Sequence, residues 1–181
     1  MTLKEEEKRT LLDMAKQVIR SALDEKDVPD FDIISPVLRE KRGAFVTLKK
    51  KGQLRGCIGY IEGIKPLYRT VMEMAVAAAF QDPRFPPLKR GEFEQLDFEI
   101  SVLTPLEEVT DIEDIEVGHH GLYIVKGFRS GLLLPQVAVE HHWDRETFLM
   151  ETCYKAGLST RAWKDPDTKI YRFSADVFGD H

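Results

Sequence analysis

Only two cysteines, Cys57 and Cys153, occur in 181 residues. That is too few, and too widely spaced, for a disulfide framework. No C-x-x-C or H-E-x-x-H spacing is present, and the adjacent pairs His119-His120 and His141-His142 point successive rings in different directions. No metal and no cofactor is therefore expected. A surplus of positive charge is missing as well: 26 basic residues stand against 31 acidic ones, a formal net charge of −5. Affinity built on phosphate neutralisation needs the opposite balance, so there is no strong nucleic-acid signal. Lys49-Lys50-Lys51, beside Gly52, reads as a solvated turn. Long apolar runs are absent too, and nothing approaches the roughly 20 residues that span a bilayer. The opening Met1-Thr2-Leu3-Lys4-Glu5 carries no signal core. The expectation is a reduced, cytoplasmic, soluble protein with no membrane association.

What is present is an ordinary apolar fraction, 43%, enough to bury a core. Thr2-x-x-Glu5 reads as a capping box ahead of a helix whose Leu11, Ala15, Val18 and Ala22 form an apolar stripe. Ser35 to Glu40 suggests a short helical turn. Ala44 to Lys49 and Leu54 to Ile61 read as an antiparallel hairpin around a four-residue turn, Lys50 to Gln53. Pro66 is placed as the first residue of a second helix, whose Ala77-Ala78-Ala79 surface is small enough to lie close on a sheet. Leu96, Phe98, Ile100 and Val102 alternate with polar residues as a half-buried strand. Glu107 to Glu116 reads as an acidic, solvated connection. A second hairpin turns at Gly127 to Ser130, Pro135 opens a short helix, and Asp144 caps another that runs to Ala156. Tyr171-Arg172-Phe173 reads as the last strand. Hairpins with interspersed helices imply an α+β fold on a largely antiparallel sheet flanked by helices.

The stretch Leu54-Arg55-Gly56-Cys57-Ile58-Gly59 concentrates the unusual chemistry. Two glycines in one strand suggest a bulge or something approaching the backbone. Simple alternation puts Leu54, Gly56, Ile58 and Tyr60 on one face and Arg55, Cys57 and Gly59 on the other. Arg55 and Cys57 would then be neighbours about 7 Å apart at Cα, and a guanidinium so placed can stabilise a thiolate. The glycines are spaced Gly56, Gly59, Gly63, but neither G-x-G-x-x-G nor G-x-x-x-x-G-K-[ST] is met, so a nucleotide loop is not implied. No G-x-S-x-G elbow is present either. Asp82-Pro83-Arg84-Phe85-Pro86-Pro87 ends the Ala-rich helix with a stiff loop that holds Asp82 and Arg84. Arg55, Asp82 and Arg84 are expected to converge on one concave surface.

The hexapeptide resembles the signature of the AMMECR family, and further blocks agree: Gly43 to Leu48, Asp82 to Pro87, Ile100 to Thr104, Leu133 to Ala138, Trp143-Asp144 and Lys155-Ala156-Gly157. The resemblance implies a larger lobe, about 1–115 and 159–181, a smaller lobe, about 116–158, and a groove between them near the hexapeptide. It further implies companionship with a Memo-like protein and a radical SAM protein. Two readings stand side by side. In one, the groove is a binding surface for a small anionic ligand or a partner, with Arg55, Gly56, Gly59, Asp82 and Arg84 in contact. In the other, Cys57 is a thiolate nucleophile in the same groove, with any histidine base arriving through the fold.

Overall fold

The computed structural model describes residues 2–180. The chain forms two compact units, Met1–Leu103 with Asp176–His181, and Thr104–Ala175. Each is built on a four-stranded antiparallel sheet, so the α+β architecture expected from the sequence is present.

The first unit starts with helix α1 (Glu5–Leu23). Its N-terminus lies two residues later than the Thr2-x-x-Glu5 pattern suggested: Lys4 is the capping residue, and its N–H donates to the Glu7 carboxylate at 2.8 Å. Glu7 wins because Ser35 also donates to it, at 2.7 Å. Strands β1 (Ala44–Lys50) and β2 (Gln53–Tyr60) form the expected hairpin, with Thr47 opposite Cys57. The turn is tighter than four residues. Lys51 and Gly52 alone make it, with φ of 53° and 77°, the left-handed pair that a two-residue hairpin turn requires. Helix α2 (Leu67–Phe80) follows, with Pro66 as its capping residue rather than its first helical one. Strand β3 (Leu96–Leu103) pairs with β1, and the terminal β8 (Ala175–Gly179) completes the order β2-β1-β3-β8.

Helix α2 packs over β1 and β2, and α1 lies against α2 and β3. Leu11, Ala15, Val18, Ala44, Val46, Leu48, Val71, Ala75, Phe98 and Ile100 form the shared core. The small surface of α2 permits a very close approach. A side chain at Gly56 would collide with the Ala78 carbonyl oxygen, so only glycine fits that strand position.

The second unit has strand order β4-β7-β5-β6. Strand β4 (Glu107–Glu108) pairs with β7 (Lys169–Phe173), so the acidic connection carries a strand and buries Ile115 within it. Strands β5 (Gly121–Lys126) and β6 (Arg129–Leu133) turn on Gly127 and Phe128, two residues earlier in β6 than the sequence suggested. Helices α3 (Pro135–Glu140) and α4 (Arg145–Lys155) cover this sheet; the Asp144 cap accepts from the Thr147 N–H at 2.8 Å. Cys153 is fully buried beside Phe148 and Leu149. Among the described residues, no helix is long and apolar enough to cross a membrane.

Candidate functional site

Strand β2 does not follow simple alternation. Leu48 pairs with Gly56 and Lys49 with Leu54, which leaves Arg55 as the extra residue of a β-bulge. A bulge re-aims its side chain. Leu54 is therefore 42% exposed opposite Lys49 instead of sharing the buried face of Gly56 and Ile58.

Arg55 is re-aimed into the protein. Its Nε and Nη2 each donate to Glu92 at 3.1 Å, and Nη2 also donates to the Pro86 carbonyl at 2.8 Å. Its Nη1 is buried without a hydrogen-bond partner among the described residues. The Arg55 guanidinium, helped by the Lys89 N–H and Lys50, pulls the Glu92 carboxyl down to about 2 against its desolvation. Arg55 thus spends its charge on Glu92, and the expected Arg55–Cys57 partnership is replaced by an internal ion pair.

The cation beside Cys57 is Arg84. Asp82 sits at the open edge of β2, where one carboxylate oxygen accepts from the Cys57 N–H at 3.0 Å and from Arg84 Nη2 at 2.8 Å. Its other oxygen accepts from the Arg84 backbone N–H and Nε, both at 3.0 Å. Arg84 Nη2 also reaches the Cys57 carbonyl at 3.4 Å. The Asp82 and Arg84 side chains therefore take up the Cys57 N–H and C=O at the edge of β2, and the prolines on either side of Arg84 stiffen the loop. Asp82 is 2% exposed at its side chain, whereas the Arg84 guanidinium remains 55% exposed. The Arg84 guanidinium holds the Asp82 carboxyl far below the usual range, with the Cys57 and Arg84 N–H groups adding to the effect. Arg84 is in turn pushed up by Asp82 and, to a smaller degree, by the Cys57 sulfur.

The Arg55 and Arg84 guanidinium carbons lie 5.9 and 5.6 Å from the Phe85 ring centroid, with Arg55 buried against Glu92 and Arg84 half-exposed beside Asp82. On the outward face of the sheet, Cys57, Thr47 and Glu99 occupy one row across β2, β1 and β3. The Thr47 hydroxyl is 3.2 Å from the Cys57 sulfur, and Glu99 pairs with Lys49 at 3.6 Å. Glu99 was not among the residues singled out from the sequence. Its signal was the polar set of β3, legible once the β1–β3 register is known. Gly59 does not open the face to a visitor, because the Phe45 ring fills the space beside it, and α2 fills that beside Gly56.

His119, His120 and His141 belong to the second unit and have partners there. His120 Nδ1 accepts from the Glu116 N–H at 2.9 Å, and burial lowers the His120 pKa. His119 Nε2 is 3.4 Å from the Ser174 hydroxyl, and His141 stacks on Trp143 at 4.8 Å. Among the described residues, no group of three or more His, Cys, Asp or Glu side chains could hold a metal ion.

These features define a protein of two α+β units whose first unit displays a thiol and a fixed guanidinium at the β2 edge, with a hydroxyl on the neighbouring strand. The AMMECR1 family model matches residues 12–178, and the chain belongs to that family. A protein of Methanothermobacter thermautotrophicus is 49% identical over 183 residues, covering 97% of this chain and 95% of that protein. Protein TK0174 of Thermococcus kodakarensis is 44% identical over 187 residues, with 97% and 91% covered. The crystal structure of the uncharacterized protein PH0010 from Pyrococcus horikoshii superposes with a TM-score of 0.92 at 43% identity, covering 99% of this chain and 94% of that one.

Proposed function

We propose that this chain is a binding component, with the β2 edge and its outward face as the contact surface for a partner protein. The observation that carries this reading is the Asp82–Arg84 pair: a buried carboxylate fixes a half-exposed guanidinium beside the partly exposed Cys57. A guanidinium held in place loses little side-chain freedom when its donors meet acceptor groups of a partner, which favours affinity. Leu54, 42% exposed, supplies an apolar contact on the same strand. A protein partner is favoured over a small anion because Asp82 and Glu92 already balance the charge of Arg84 and Arg55. The family resemblance makes a Memo-like protein and a radical SAM protein the partners to test.

A second reading is supported by the Thr47 hydroxyl 3.2 Å from the Cys57 sulfur, with Arg84 within electrostatic reach of that sulfur. On this reading Cys57 acts as a thiolate nucleophile. Co-purification of the chain with each companion, followed by Arg84→Glu, Leu54→Asp and Cys57→Ser, separates the two. Binding predicts that Arg84→Glu and Leu54→Asp release the companion while Cys57→Ser retains it with full activity of the assembly. Retained binding in all three variants, with activity lost only in Cys57→Ser, transfers support to the nucleophile.

A further inference from the structure

A cavity of about 580 Å³ lies in the first unit, alongside α2 and away from the outward face of Cys57. That volume falls within the roughly 300–1,000 Å³ typical of small-molecule sites. Its lining is divided chemically. Val18, Met72, Met74, Val76 and Ala77 supply an apolar wall from α1 and α2. Lys65, Arg69 and Glu73 supply charge at one side of it. Val28, 64% exposed, and Tyr60, 41% exposed, complete the lining, so apolar surface stays open to solvent here.

The charges decide what kind of ligand suits the cavity. Lys65 Nζ is bound to the Glu73 carboxylate at 2.7 Å, which cancels one cation against one anion. Arg69 lies close enough to Lys65 to oppose its protonation. The Arg69 guanidinium carbon is 5.6 Å from the Tyr68 ring centroid, and its side chain makes no hydrogen bond or ion pair among the described residues. One positive charge with a planar donor fork is therefore left over beside an apolar wall. A single carboxylate matches that fork in a bidentate way. A dianionic phosphate matches it less well, because its second charge would meet Glu73 with no further cation to balance it.

We propose that this cavity binds a small amphipathic monocarboxylate, its carboxylate on Arg69 and its aliphatic body against Met72, Val76 and Val18. Methionine suits such a role because its flexible, polarisable side chain adapts to irregular apolar shapes.

Titration of the full chain, labelled with ¹³C at its methionine methyls, with octanoate and with octan-1-ol tests the assignment. Octanoate should shift Met72 and Met74 saturably and leave Met150, in the other unit, in place. Octan-1-ol, which keeps the body and lacks the charge, should bind at least about tenfold more weakly, as should octanoate to Arg69→Glu. Arg69 is exposed on the helix surface, so an unchanged Met14 and Met150 spectrum certifies that this variant is folded. Val76→Trp, which fills the cavity while keeping Arg69, should abolish the octanoate shifts. Equal affinity for acid and alcohol, an unaffected Arg69→Glu, shifts centred on Met150, or no saturable shift at all would each overturn the proposal.

Discussion

Glu92→Gln removes one charge from an ion pair that holds the bulge of β2 in shape. The side chains of Arg55 and Glu92 are 8% and 19% exposed and share two hydrogen bonds of 3.1 Å. Arg55 is the foremost cause that brings the Glu92 carboxyl from an ordinary 4.5 to about 2. A displacement of that size corresponds to about 3 kcal/mol at ~1.36 kcal/mol per pH unit. Residual solvent screening, and the shares of Lys89 and Lys50, bring the Arg55–Glu92 coupling itself to about 2 kcal/mol. The sign in pH follows from the lowered folded-state value. The contribution is whole above about pH 4.5, where the unfolded carboxylate is ionised, and is lost as pH falls towards the folded value of about 2. Urea unfolding of the parent chain, Glu92→Gln, Arg55→Met and the double variant provides the cycle. At pH 7 the coupling should be about 2 kcal/mol, and at pH 3 the gap between parent and Glu92→Gln should have shrunk by more than half. A coupling below about 0.5 kcal/mol, the scale of an exposed pair, or a gap unchanged between the two pH values, would refute the assignment of Arg55 as an internally paired arginine.

Gly56→Ala should destabilise the chain by at least about 2 kcal/mol, because the added methyl meets the Ala78 carbonyl and α2 must shift; a thermal melt within 1 °C of the parent would show that the helix yields freely. Asp82→Ala should cost about 3 kcal/mol, since it strands the Cys57 N–H and the Arg84 guanidinium at the sheet edge. An unchanged denaturant midpoint would remove Asp82 as the brace of β2. Iodoacetamide should label Cys57 and spare Cys153, whose thiol is fully buried and pushed up by desolvation. Arg84→Ala should slow the Cys57 reaction, and equal labelling of both cysteines by mass spectrometry would contradict the burial pattern.

Much of this molecule is determined by its sequence alone. The alternation of Leu96 to Val102, the apolar stripe of α1 and the Asp144 cap are local signals, set by side-chain periodicity and by backbone donors that need a nearby oxygen. The pairing of Thr47 with Cys57 was legible for the same reason, because a short glycine turn dictates an antiparallel neighbour. What the local pattern missed was every choice made by a distant partner. The extra residue in β2 exists because Leu48 and Lys49 pair on either side of Arg55, and nothing within Leu54 to Tyr60 announces that offset. Arg55 therefore turned from the thiol to Glu92, 37 residues away, and Arg84 took its place beside Cys57. The two-residue β4 and the terminal β8 escaped notice because each owes its strand geometry to a neighbour far along the chain. The exchange points between the units, after Leu103 and after Ala175, were decided in the same way. Periodicity tells which residues share a face, but long-range pairing energy decides which carboxylate meets which guanidinium, and at this sheet edge that choice sets the chemistry around Cys57.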